Sequence, residues 1–264
     1  EYAINMMRSL ACHIMNQRFA ELALDPNCPF TGGRCVYGQV VKQRDAFYGI
    51  VSPKEGREDE AFNALLYQLE KMRRYGFTED ELERAKTEKL NDLEKAYNER
   101  NTRKNIAIAK ECIRHFEDGE VMPGIEWEYQ AMKGFMPRID CATVNQIAAM
   151  FIHNAPTVAI SGPEKKGVNI PNEETILHAL EGMPLLAIEA PKAEVIDTVL
   201  VKKAPKAGRI IATKKDSELG TTEWTLQNGV KVVIKPTEFK ADEILMQGFS
   251  RGGLSQVKTE DLPS

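Results

Sequence analysis

The chain has 264 residues, 42% hydrophobic and 28% charged, enough for one sizeable soluble domain plus a piece of another. Its formal net charge is −4, which gives no electrostatic reason to expect a nucleic acid or an anionic membrane as partner. No apolar run approaches the ~20 residues of a membrane helix, and no signal peptide is visible.

Residues 4–23 carry Ile4, Met7, Leu10, Ala11, Ile14, Met15, Arg18, Phe19 and Leu22 at helical spacing. The chain opens on Glu1 inside this pattern, so a piece cropped at both ends from a longer parent is expected. "DPNCPFTGG" (25–33) breaks the helix. Two β-runs follow, "RCVYGQVVK" and "AFYGIVSP", and the polar Gln43, Arg44 and Asp45 between them predict a hairpin. Residues 58–76 predict a helix, acidic at its start and basic near its end, with Gly76 as its stop. "TEDE" (78–81) is a capping box, with Thr78 at the N-cap and Glu81 at N3. It opens the longest helical stretch, reaching Gly119, with a break expected at "NERNTRKN" (98–105). The inner face is assigned to Leu82, Ala85, Lys89, Leu93, Ala96 and Tyr97, and the stripe resumes at Ile106, Ala109, Ile113 and Phe116. Shorter helices are expected at 124–134 and 140–151, a buried strand at "PTVAISG" (156–162), and a capped helix at 172–182.

From Met183 to about Leu219 the texture turns to Lys, Ala and Pro, a linker signature with weak β-runs at 195–201 and 209–213. "WTLQ" and "VKVVIK" then flank Asn228-Gly229, which predicts a type I′ hairpin. "EILMQGFS" (243–250) reads as a third strand. The fold expected is α+β: an antiparallel or mixed sheet, holding the 34–52 hairpin and 156–161, covered on one face by helices. Three segments are expected: a domain at 1–182, a linker at 183–219, and the first strands of another domain at 220–264.

The search for chemistry is mostly negative. Of the four histidines, His13, His115, His153 and His178, none lies in H-x-x-E-H or H-E-x-x-H. Cys12 and His13 are neighbours on a helix and point ~100° apart, a poor geometry for one metal. Glu111, Cys112 and His115 share a helix face, but a metal there needs further ligands. The ordinary reading is a solvated Glu and His beside a buried Cys. "GPEKKGVN" (162–169) has phosphate-loop glycine spacing but puts Val168 and Asn169 where Lys and Ser/Thr are needed, so it reads as a plain turn. "TGGRCVYG" precedes a strand where a dinucleotide loop should follow one. Trp127 and Tyr129 read as packing residues. Five cysteines, Cys12, Cys28, Cys35, Cys112 and Cys141, are too few and odd in number for a disulfide framework. Cys28 and Cys35 flank a turn and could pair; free thiols are the default.

The order of elements resembles the inverted-zincin metallopeptidases, the family of pitrilysin, insulin-degrading enzyme and mitochondrial processing peptidase, above all the large two-half bacterial members. "MNQRFAEL" (15–22) is similar to the helix opening a non-catalytic domain of that family. "YGFTEDELERAKTEKL" (75–90) resembles the Gly-Phe-Thr-x-x-Glu-Leu-x-x-Ala-Lys segment, 113–139 its later helices, and "PTVAISGPEKKG" its final strand. "LQNG" within 221–255 looks like the start of a second half.

The resemblance implies that this chain is the second quarter of a zinc endopeptidase, with the linker between halves and a stub of the third quarter. It implies zinc in an upstream catalytic domain of the parent and none here. No position matches the zinc motif, so no catalytic or metal residue is carried over, and substrate-binding residues are left unassigned. The implied partners are the parent's catalytic domain and an unfolded peptide, for which addition to a strand edge is the expected mode. Large bacterial relatives are often exported, which favours the cell envelope; unpaired cysteines oppose it. Two other readings stay open: a structural or assembly protein of the same fold whose parent lost its zinc motif, and an interaction scaffold at 58–151 with a floppy tail.

Overall fold

The computed structural model describes residues 2–41, 44–152, 156–163, 165, 168, 170–191, 201, 203–237, 244–250 and 252–253. Two compact units divide between Leu200 and Val201.

The first unit is built on a hairpin. Strand β1 (Phe30–Val41) pairs antiparallel with β2 (Arg44–Pro53), Cys35 facing Gly49 and Tyr37 facing Phe47. Side chains alternate across a strand, so Gly33, Cys35, Tyr37, Phe47, Gly49 and Val51 share the inner face. Two helices cover that face, each at a glycine. Helix α1 (Tyr2–Ala23) lays Phe19 on Gly33, and α2 (Glu58–Tyr75) lays Leu65 and Leu69 on Gly49, where a β-carbon would sit 3.1–3.2 Å from their methyls. Helix α1 also packs on α3 (Glu79–Asn98) and α6 (Cys141–Ala149). Being covered on several sides, it buries Leu10, Ala11, Cys12, Ile14, Met15 and Phe19.

The capping box is present as read: Thr78 accepts from the Glu81 N–H, and Glu81 accepts from the Thr78 N–H at 2.7 Å. The long helical stretch breaks where the polar patch falls. Helix α3 ends at Asn98, a 3₁₀ turn spans Arg100–Thr102, and α4 runs Asn105–Asp118 to a left-handed Gly119. The apolar stripe of α4 is not an inner face, however. None of its residues is buried, and Phe116 is 89% exposed. Helix α5 (Ile125–Phe135), α6 and α7 (Glu173–Gly182) lie where expected, and α7 is capped by Asn172.

The expected buried strand at 156–162 is corrected. Those residues form no ladder and are mostly exposed. Among the described residues β2 pairs only with β1, so the apolar run has no strand beside it to bury it.

The second unit is a three-stranded antiparallel sheet, β3 (Ile210–Asp216), β4 (Thr221–Leu226) and β5 (Lys231–Ile234), with β4 central. Its turn differs from the type I′ expectation. The Leu226 N–H donates to the Val230 carbonyl at 2.8 Å, which leaves three residues in the loop, with Gly229 at φ 85°. A three-residue loop closed by a left-handed glycine needs positive φ at that residue alone. Residues 244–250 carry no strand. The expected linker stretch holds structured pieces at both ends, a 3₁₀ turn at Met183–Leu185 and β3; the β-run at 195–201 lies almost entirely outside the described residues.

Candidate functional site

The outer edge of β2 borders a hollow in the first unit. It is an apolar groove of about 1330 Å³ whose far wall is 156–163. Leu180 of α7 and Met183 close one side, and Leu65 and Leu69 of α2 lie beneath. The floor is aromatic. Phe151, just past α6, stacks on Phe47 at 4.8 Å and on Tyr37 at 5.2 Å, and the Arg8 guanidinium lies 4.3 Å over Tyr37. At the rim Lys165 bridges to Glu55 at 2.8 Å. A strand edge without a ladder partner offers its N–H and C=O groups to another chain. Beside an apolar groove wider than a small-molecule pocket, that chemistry suits an extended polypeptide.

The residues weighed in the sequence for metal chemistry are not brought together. Glu111 pairs with Arg103, His115 Nδ1 bonds the Glu120 carbonyl at 2.7 Å, and Cys112 is exposed, not the buried neighbour expected. His13 Nε2 meets Glu88 at 2.8 Å, and Gln17 donates to the same carboxylate. His178 is exposed on α7. His153 lies outside the described residues, as do four of the eight residues of "GPEKKGVN". Among the described residues no three His, Cys, Asp or Glu side chains cluster to hold a metal ion. All five cysteines are free thiols. Burial pushes the Cys12 thiol up to about 11, and burial also raises Cys35 and Cys141, which makes them poor nucleophiles at neutral pH. Tyr129 is buried and stacks on Tyr97, whereas Trp127 is half exposed against Tyr2.

Two arrangements had no signal in the sequence. Glu70, fully buried on α2, accepts from Arg73 and Arg74 at 2.6 Å. Asn145 on α6 bonds the Phe77 main chain. In the sequence Glu70 sits among charged neighbours at ordinary helix spacing, and Asn145 is one polar residue in a short helix.

A helix-covered hairpin with a further helical layer is the α+β fold of an insulinase-type protease half. No family model matches the chain. It is 30% identical over 192 residues to an Arabidopsis thaliana protein named zinc protease PQQL-like, covering 72% of this chain and 20% of that one. Among solved structures it is similar to the periplasmic protease PqqL of Escherichia coli, with TM-score 0.61 at 17% identity over 89% of this chain and 26% of that one. A structure of the first half of PqqL gives TM-score 0.58 at 15% identity over 72% and 42%. A predicted insulinase family protease of Yersinia pestis gives 0.58 at 15% over 69% and 39%. The chain belongs to the pitrilysin/insulinase family of inverted zincins. It spans about a fifth of the length of the plant relative and about a quarter of PqqL.

Among the described residues no helix is long and apolar enough to cross a membrane.

Proposed function

We propose that residues 1–182 are a supporting, non-catalytic domain of a zinc metalloendopeptidase, the second quarter of a parent whose two halves close around a peptide. In this reading 183–219 joins the halves and 220–264 begins the second half. The carrying observation is the outer β2 edge, without a ladder partner among the described residues, along an apolar groove. It is a surface for holding an extended chain, with no metal-ligand cluster beside it among the described residues. The likeness to the first half of PqqL supports the placement within the parent, and the identity with a zinc protease supports the chemistry.

Zinc and the water it activates belong to the upstream domain; this domain contributes binding and orientation. The name of PqqL as a periplasmic protease supports export of the parent to the cell envelope. Two measurements test the reading. The 264-residue chain should bind no stoichiometric zinc and cleave no unfolded peptide; one tightly held zinc per chain ends the proposal. An unfolded apolar peptide at saturation should slow exchange of β2 amides, and unchanged protection removes the groove from it. The parent's reading frame upstream should encode H-x-x-E-H with a distal Glu. A frame without that motif makes the parent a structural protein of the same fold.

A further inference from the structure

Residues 183–188 follow α7 and lie against the end of α2. The side-chain hydrogen bonds to their main chain come from two consecutive residues. The Arg74 guanidinium donates through Nη1 to the Leu186 carbonyl at 2.8 Å. Through Nη2 it donates to the Pro184 carbonyl at 2.8 Å and the Met183 carbonyl at 3.2 Å. Tyr75 donates its hydroxyl to the Ile188 carbonyl at 3.1 Å. Of its side chains Ile188 is buried and Met183 and Leu186 are half-buried, while Leu185 is 86% exposed. Four carbonyls are thus gripped by one fork and one phenol, without reference to which side chains the segment carries.

The fork is itself held. Arg74 Nε donates at 2.6 Å to Glu70, whose carboxylate is fully buried and also takes both Arg73 donors at 2.6 Å. A planar guanidinium can serve Glu70 and the carbonyls together; a lysine ammonium is a single point donor and cannot span them. The carbonyls of Met183 and Pro184 end the α7 helical run, where cationic donors are favoured by the helix dipole. Met183 and Leu180 are also wall residues of the groove. One side chain therefore positions the start of the tether and one wall of the groove.

We propose that Arg74, seated on Glu70, is the lock of a strap: it fixes 183–188 to α2, makes Ile188 an anchored point, and ties the α7 wall of the groove to that anchor. Release of the lock would free 183–188 as an extension of the linker and loosen that wall without unfolding the hairpin core. The inference rests on the reading of 183–219 as the connection between halves. A chain held by main-chain carbonyls to one residue is released at one stroke, whereas a segment held by many buried side chains frays gradually.

Hydrogen exchange on the complete 264-residue chain tests it. In Arg74→Lys, which keeps a cation for Glu70, the Leu186 and Ile188 amides should exchange at least tenfold faster than in wild type, with α3 amides unchanged. Tyr75→Phe should speed Ile188 about twofold. Strap exchange in Arg74→Lys equal to wild type overturns the proposal. Equal acceleration of α3 also overturns it, because Arg74 would then support the whole unit. The linker reading fails separately, if wild-type amides of 203–209 are as protected as those of α2.

Discussion

Asn145 treats Phe77 as a neighbouring strand would: its Oδ1 accepts the Phe77 N–H at 2.7 Å, and its Nδ2 donates to the Phe77 carbonyl at 3.1 Å. Phe77 follows Gly76 at the corner between α2 and α3, where φ is 64° and a β-carbon would overlap the Asn145 amide. The corner is closed by a side chain from another helix. Asn145→Ala should cost about 1–2 kcal/mol, because the Phe77 N–H loses its partner and the Phe77 carbonyl is left with the Cys141 thiol at 3.2 Å. Asn145→Asp should cost at least as much, since a carboxylate cannot donate to the Phe77 carbonyl. Urea melts of both variants measure this, and a loss under about 0.5 kcal/mol would show that water replaces the amide.

Gly33 carries the packing of α1 on the hairpin. A β-carbon there would lie 2.7 Å from Phe19 Cδ1, and Phe19 is fully buried against Phe30. The ring has no free space to yield into. Gly33→Ala should cost about 1–3 kcal/mol by overpacking, and Phe19→Leu in the same chain should recover part of it. Additive losses in the double variant would mean that the two sites do not press on each other.

Acid should weaken the first unit through Glu81. Burial alone would raise this carboxyl, but the Arg18 guanidinium, at 2.6 and 2.8 Å, and the Thr78 N–H outweigh it and hold it below the usual carboxylate range. A folded value below the unfolded one gives stability that is fully present above the unfolded value, near about 4.3. That stability is lost as pH falls through the folded value. Glu81→Gln should cost about 2–3 kcal/mol at pH 7, and the gap to wild type should narrow below about pH 4. Thermal melts from pH 7 to 3 follow it; a constant gap would assign the loss to packing and capping instead of charge.

Phe116 tests the exposed stripe of α4. At 89% exposure its truncation removes no buried area. Phe116→Ser should leave the melting of this chain unchanged within about 0.5 kcal/mol. A larger loss would show that α4 folds back on the unit in solution.

Most elements were legible because they rest on local chemistry. The capping box at Thr78, the break at 98–105 and the stop at Gly119 are written in adjacent residues. What the sequence hid depends on partners far along the chain. The period of Ile106, Ile113 and Phe116 records an amphipathic helix, but a stripe does not say whether anything covers it. "PTVAISG" has the composition of a buried strand, yet burial needs a neighbouring strand, which no residue in the run supplies. Asn228-Gly229 marked the hairpin correctly and its loop length wrongly, because one left-handed glycine serves both turn types. In the groove Phe47 and Val51 were visible as strand residues, whereas Phe151 and Leu180 join them only through the tertiary fold.

The outer border of β2, which has no ladder partner among the described residues, also bears on handling. Between Asp45 and Pro53 it runs through seven consecutive uncharged residues, "AFYGIVS", with Tyr48 and Ile50 each 40% exposed on the outward face. Proteins guard such borders with lysines, prolines or bulges, and here the guards stand only at the ends. A stretch of this length and composition is a seed for cross-β stacking. Preparations of the 264-residue chain should clump with rising concentration, and a charge placed at Ile50 should keep them dispersed.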